Sequence, residues 1–307
     1  MSALLEVENL SLTVPTGHVI QGRKPVLNNV SFKIMKGKAT AYLGPNGAGK
    51  TSTFRILCGL ARKDNGSILF DGQPVHRCLP AKNLGFMPEQ PYFYKNLTPY
   101  ELLCGLGRLS GIHEKELPSR INTWAVKLDF NHILHQPMSA CSKGQVQRVG
   151  IAQALIHQPD FILLDEPLSG LDPLGRELVR NVLRESVNYG ATLLFSSHIL
   201  ADAESICDQV IVLNHGVVAF EGGMEDLTVS DKKWHITFEG ELTPDIDIKY
   251  EQLRENQYRI TVADLRDRDH AIQCILASSK ATLLTIEPEK QTLEDAFIKL
   301  LAKDTSL

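Results

Sequence analysis

Gly44-Pro45-Asn46-Gly47-Ala48-Gly49-Lys50-Thr51 fits the pattern G-x-x-x-x-G-K-[ST], and its flanks place it between a strand and a helix. Upstream, Lys38 to Leu43 (KATAYL) reads as a short apolar strand. Downstream, Ser52 to Leu60 (STFRILCGL) reads as a helix. Three glycines let the backbone wrap closely, so that successive N–H groups and the helix N-terminus face one anion. Lys50 is then placed to reach the outer phosphates, and the Thr51 hydroxyl to hold Mg²⁺. A plain glycine-rich turn needs neither Lys50 nor Thr51. The octapeptide therefore predicts a nucleoside triphosphate site made of Gly44, Pro45, Asn46, Gly47, Ala48, Gly49, Lys50, Thr51 and Ser52.

The chain has 307 residues, enough for two domains and a sizeable core. Its net charge of −4 argues against a general nucleic-acid binder. The opening MSALLEVENL carries Glu6 and Glu8 and no basic-then-apolar leader pattern, so secretion is not expected. No apolar run reaches the length of a membrane-spanning helix. Cys58, Cys78, Cys104, Cys141, Cys207 and Cys274 are scattered without C-x-x-C spacing, which fits reduced structural thiols.

Working outward, residues 1–228 alternate apolar strands with helical patterns, the mark of an α/β domain with a largely parallel sheet. Leu4 to Val7 and Val30 to Ile34 read as early strands on either side of a turn-rich segment, Pro15 to Pro25. A helical insert is expected over about 92–158. Strands resume at Phe161 to Leu164, Thr192 to Ser196 and Gln209 to Leu213. Composition shifts near Thr228 to Lys232. Beyond it, strands at Trp234 to Glu239 and Tyr258 to Ala263 precede a helix over about Arg268 to Ser278, a strand at Thr282 to Ile286 and a last helix from Leu293 to Leu301. That βαβ-like order predicts a small C-terminal α+β domain over 229–307.

Phe161-Ile162-Leu163-Leu164-Asp165-Glu166 is an apolar strand that ends in two carboxylates. Such a strand delivers its acids to the carboxyl edge of the sheet, where α/β proteins bind ligands. An acid pair there is often only a solvated turn. Behind a phosphate loop it reads as Asp165 holding the Mg²⁺ shell and Glu166 polarising the attacking water. In Cys141-Ser142-Lys143-Gly144-Gln145-Val146-Gln147-Arg148, Ser142 reads as a helix N-cap and Gly144 as a point of close backbone approach. By itself that stretch is a capped helix start.

Taken together, the phosphate loop, Phe86-Met87-Pro88-Glu89-Gln90, S-K-G-Q-x-Q-R, ILLDEP, Ser169-Gly170-Leu171-Asp172 and Ser196-Ser197-His198 resemble, in order, the ATP-binding subunits of ABC transporters. The resemblance covers about residues 1–225. It implies an ATPase that uses ATP and Mg²⁺, with Thr51, Gln90 and Asp165 at the metal. Gln90 resembles the glutamine that touches the metal or the lytic water and couples to a membrane partner. Ser142, Gly144 and Gln145 match the signature that covers the γ-phosphate held by a second subunit. Asp172 resembles the aspartate that works across the dimer interface, and His198 the histidine that contacts the γ-phosphate. The catalytic set is then Glu166, His198 and Gln90. The implied assembly is a homodimer sandwiching two ATP molecules on a separately encoded permease. That assembly would be cytoplasmic, on the inner face of the cell membrane, with no nucleic acid as partner. Pro91 to Gly111, with Tyr92, Phe93 and Tyr94, is the expected docking region.

Two departures stand out. The signature usually reads L-S-G-G-Q, whereas here Lys143 replaces a glycine, as in the branch that pairs with ABC-2-type export permeases. Glu287 to Phe297 resembles the P-x-x-x-x-L-E-D-x-F ending of the same branch, and both point to export. The family also stacks an aromatic near the end of the first strand on adenine, but no Phe, Tyr or Trp precedes Phe32. Val14, Val19, Ile20 or His18 is left to meet the base, with weaker base discrimination expected. Two rival readings fare worse. A non-transport ATPase of the same superfamily acting on DNA or ribosomes would carry a long coiled coil or two cassettes. A small-molecule kinase or GTPase would leave the signature, Gln90 and His198 unexplained.

Overall fold

The computed structural model describes residues 2–16, 22–80, 83–241, 248–290 and 293–303. The chain divides into one unit of Met1–Met224 with Leu300–Leu307 and a second of Glu225–Lys299.

The first unit is built on two sheets. β1 (Ala3–Thr16) and β2 (Gly22–Met35) form a long antiparallel pair, extended by β4 (Asn65–Phe70) and β5 (Gln73–Pro74) in the order β2-β1-β4-β5. The described residues of the stretch expected to be turn-rich, 15–16 and 22–25, are strand: Thr13 pairs with Pro25, Val14 with Lys24 and Pro15 with Arg23. Proline is tolerated where it breaks no ladder bond, as towards the end of a hairpin.

The second sheet has six strands. They are β3 (Ala39–Leu43), β6 (Leu84–Met87), β7 (Phe161–Leu164), β8 (Thr192–Ser197), β9 (Gln209–Asn214) and β10 (Val217–Gly223), in the order β10-β9-β3-β8-β7-β6. Every pairing from β9 to β6 is parallel, and β10 adds an antiparallel edge. β3, β7 and β8 are buried along their whole length, as expected of strands covered on both faces. Tyr42 on β3 packs between Phe32 and Phe54, with ring centroids 5.4 and 5.8 Å away. These rings join Leu5, Leu10, Phe161 and Leu194 in one core cluster. Each such fully buried side chain contributes about 1.5–3 kcal/mol.

The helices are α1 (Lys50–Leu57), α2 (Pro99–Leu109), α3 (Leu117–Lys127), α4 (Lys143–Leu155), α5 (Pro173–Asn188) and α6 (Leu200–Ile206). α2, α3, two 3₁₀ turns at Asn131–Ile133 and Met138–Ala140, and α4 lie within the expected insert. Caps set the starts. Thr98 and Glu101 form a capping box on α2, Ser142 and Gln145 another on α4, and Asp172 caps α5 ahead of Pro173. Tyr92 and Tyr94, before α2, are 84% and 78% exposed.

α7 (Met224–Thr228) falls at the division between the units. In the second unit, β11 (Val229–Gly240), β12 (Glu251–Arg254), β13 (Gln257–Val262) and β14 (Ala281–Lys290) form an antiparallel sheet in the order β12-β13-β11-β14. α8 (Leu265–Ala277) buries Ala271 and Ile275 against Ile236, Phe238 and Ile260. β13, α8 and β14 do follow βαβ order, but β11 lies between the two strands, so the unit is a split βαβ. Sequence patterning missed β12, because all four of its residues are exposed and nothing alternates. α9 (Leu293–Lys303) ends the described chain.

Candidate functional site

Four parallel strands in the order β3-β8-β7-β6 end at one edge of the sheet, and each hands on a segment singled out by its sequence. β3 leads into Gly44 to Gly49, β8 into His198, β7 into Asp165 and Glu166, and β6 into Glu89 and Gln90. Registers align them: Leu43 pairs with Ser197, Phe195 with Leu164 and Leu164 with Met87.

The loop after β3 is shaped by close approach. A Cβ on Gly44 would sit 2.3 Å from the Leu213 carbonyl oxygen. Gly49, the N-cap of α1, has φ of 110°, and a Cβ there would meet the Leu27 side chain at 2.6 Å. Neither position admits another residue without a shift in its surroundings.

A cavity of about 440 Å³ opens over this loop. Pro45, Asn46, Gly47, Gly49, Lys50, Thr51 and Ser52 line it, together with Glu166 and His198. Gly44 and Ala48 are not in the lining: Gly44 lies against Leu213, and Ala48 is buried with its carbonyl accepting from Gly216 N. Val26, Glu89 and Ser169 also line the cavity, and none of them was read from the sequence as a site residue.

Glu166 is the centre of the arrangement. Its Oε2 lies 2.8 Å from His198 Nδ1 and its Oε1 lies 3.6 Å from Lys50 Nζ. The buried Lys50 ammonium also donates to the carbonyl of Gly44 at 2.7 Å and of Pro45 at 3.4 Å. With Nδ1–H given to a carboxylate, His198 keeps Nε2 without a protein partner among the described residues. Glu166 has φ of 49°, in the left-handed region that costs a non-glycine residue about 1–2 kcal/mol. Its N–H donates to Ser196 Oγ at 2.8 Å, and its C=O accepts from Gln147 Nε2 at 3.2 Å. Neither role was foreseen, although Ser196 belongs to Ser196-Ser197-His198 and Gln147 to S-K-G-Q-x-Q-R.

Asp165 is 1% exposed. Ser196 Oγ donates to its Oδ1 at 2.6 Å, and its N–H donates to Met87 O at 2.9 Å. No Lys, Arg or His among the described residues pairs with it. A buried carboxylate without a protein counter-charge is costly unless a metal answers it. Thr51 lines the cavity and Asp165 does not, but as oxygen donors both suit a hard cation such as Mg²⁺.

The other predicted residues, like Asp165, are not in the cavity lining. Gln90 is exposed on the segment after β6, next to Glu89, which lines the cavity, but it is not itself in the lining. Ser142, Gly144 and Gln145 form the start of α4, where Ser142 N–H donates to Gln145 Oε1 at 2.8 Å and Gln145 Nε2 meets His132 Nε2 at 3.2 Å. A Cβ on Gly144 would lie 3.6 Å from the Gly170 carbonyl, so these two segments are neighbours. Lys143 is exposed. Asp172 Oδ1 accepts from Gly175 N at 3.1 Å. Of the residues suggested for adenine, Val14 lies on β1, half-buried, while His18, Val19 and Ile20 lie outside the described residues.

Residues 27–169 match the family described as ABC transporter. The chain is 33% identical over 300 residues to an ABC transporter ATP-binding protein of Synechocystis sp., covering 97% of this chain and 84% of that protein. It is 35% identical over 218 residues to the lantibiotic transport ATP-binding protein SrtF of Streptococcus pyogenes, covering 71% and 90%. Among solved structures it is similar to an ATP-binding subunit of an ABC transporter, at 32% identity and a TM-score of 0.63, covering 73% of this chain and 91% of that one.

Proposed function

The chain belongs to the ATP-binding proteins of ABC transporters, and from that premise we propose that it hydrolyses ATP between two copies of itself to drive a separately encoded membrane permease, in the direction of export. The observation that carries this reading is the meeting of Lys50, Glu166 and His198 at the phosphate loop, while Ser142 to Gln145 of the same chain do not line that cavity. A grip and a water-activating group are present in one chain. The lid is to come from a second.

The N–H groups of the loop and the N-terminus of α1 receive the phosphates. Lys50 leaves the carbonyls of Gly44 and Pro45 for the outer phosphates. Glu166 accepts the hydrogen bond of the attacking water, held by His198 on one oxygen, and the free Nε2 of His198 serves the γ-phosphate. Mg²⁺, held through Thr51 and Asp165 with Gln90 reaching in, would offset the charge developing on the phosphate oxygens. Asp172 serves the dimer interface. Closing two chains over two ATP molecules and reopening them after hydrolysis converts chemistry into motion.

No helix among the described residues is long and apolar enough to cross a membrane, which agrees with a separate permease. Exposed Tyr92 and Tyr94, beside Gln90, offer that partner an aromatic surface. Lys143, the C-terminal L-E-D-x-F pattern and the transport role in the name of the lantibiotic relative support export.

The test is Glu166→Gln. It is expected to abolish turnover, keep ATP and trap a dimer seen by gel filtration. A variant that holds ATP and stays monomeric overturns the sandwich.

A further inference from the structure

Gln147 lies on α4, two residues beyond the Gln145 of the signature, and is 5% exposed. Its amide nitrogen donates to two carbonyls of one turn, Glu166 O at 3.2 Å and Pro167 O at 3.1 Å. A buried amide that donates to both carbonyls of a single turn ties that turn to α4, and Glu166 O also accepts a local bond from Ser169 N at 3.1 Å. The turn it fixes is the one that needs holding, since Glu166 stands at a positive φ. Ser196 secures the N–H side of the residue, and Gln147 alone among the described side chains secures its C=O side.

We infer that Gln147 is a positioning residue for ATP hydrolysis: it holds the Glu166 backbone in the left-handed turn that aims the carboxylate at the phosphate cavity. The same bond joins Glu166 to the helix whose first residues are Ser142 to Gln145. Along the helix axis those residues lie from about 3 Å (Gln145) to about 7.5 Å (Ser142) from Gln147. A shift of α4 when its N-terminus engages nucleotide on a second chain is then passed to the water-activating group of its own chain. This rests on the reading of Glu166 given above.

On the full-length chain with ATP and Mg²⁺, Gln147→Met keeps the side-chain length and removes both donors. The expected result is a kcat lower by about 10- to 100-fold with KM for ATP within about twofold of the parent. Gln147→Glu presents a carboxylate to two carbonyls and is expected to fall at least as far. A folded Gln147→Met with the parent kcat, or one in which KM rises as steeply as kcat falls, overturns the inference. Should neither variant fold, the parent protein still decides. Its Gln147 side-chain amide, followed by NMR, is expected to shift when a non-hydrolysable ATP analogue and Mg²⁺ are added, and a signal that does not move overturns the inference. Glu166→Gln run in parallel separates the two levels. If it retains turnover, the reading of Glu166 fails. If it is inactive while Gln147→Met is fully active, only the role of Gln147 fails.

Discussion

His198 Nδ1 lies 2.8 Å from Glu166 Oε2, while the second oxygen of the same carboxylate lies 3.6 Å from Lys50 Nζ. One carboxylate is thus shared between a ring at the end of β8 and an ammonium at the start of α1. A group held from both sides loses little entropy when it acts, so its partners matter to the chemistry as much as to binding.

Replacing His198 by Ala removes one side of that hold and the free Nε2. We expect kcat to fall by about 100-fold or more, with the Kd for ATP within about threefold. Single-turnover hydrolysis beside equilibrium binding separates the two, and a parallel loss of affinity would contradict a role confined to hydrolysis.

Lys50→Ala acts on binding instead. The ammonium now satisfied by Gly44 O and Pro45 O can exchange those neutral acceptors for phosphate oxygens. A charge-assisted hydrogen bond is worth about 1.5–3 kcal/mol, so Kd for ATP should rise about 10- to 100-fold. Calorimetric titration with ATP and Mg²⁺ measures it, and an unchanged Kd refutes the grip.

Asp172 has a structural duty beside its proposed one. Its carboxylate accepts from Gly175 N at 3.1 Å and caps α5. Asp172→Ala should cost about 1 kcal/mol in urea unfolding, whereas Asp172→Asn, an equally good cap, should cost little. Any drop in turnover that Asp172→Asn shows at unchanged stability then belongs to the interface. Equal stability loss in both variants would show that the cap is not what Asp172 contributes.

His157 sets a pH limit on stability. Burial pushes its imidazole below the ordinary 6.5, against the opposing pull of the bond from Nε2–H to Leu84 O at 3.2 Å. Because the folded pKa is the lower one, the unfolded chain takes up the proton first. The contribution is full above about 6.5 and is lost as pH falls through the folded value. His157→Gln keeps a donor to Leu84 without titrating. The urea midpoint should drop less between about pH 7.5 and about pH 5.5 in that variant than in the parent. Equal drops would assign the acid limb to other groups.

Base selectivity is the most chain-specific expectation. With no aromatic before Phe32 and Val26 lining the cavity, adenine is expected to meet aliphatic surface. Hydrolysis of ATP and GTP should then proceed with similar kcat/KM. A strong ATP preference that survives Ala at Val14, His18, Val19, Ile20 and Val26 together would overturn this.

Much of the fold was legible because each signal is local. Lys38 to Leu43 is mostly apolar, as a strand buried on both faces is, and Ser142 announces the start of α4. What escaped has equally local causes. β12 is wholly exposed, so no apolar pattern marks it, and Pro15 and Pro25 masked the outer half of the first hairpin. Ser196 and Gln147 were invisible as parts of the site because their partners lie 30 and 19 residues away.

The sequence by itself determined the chemistry of the phosphate loop, the presence of two carboxylates at the end of β7 and the family to which these motifs point. Each depends on residue types within a few positions of one another. Tertiary structure decided which of those residues meet. Parallel pairing of β3, β8, β7 and β6 brings four distant chain segments to one edge, joins Lys50, His198 and Glu166, and leaves Gln90 and Ser142 to Gln145 out of the cavity lining. It also supplied distant holders for a strained Glu166: Ser196 answers its N–H, and Gln147 joins the local Ser169 N–H at its C=O.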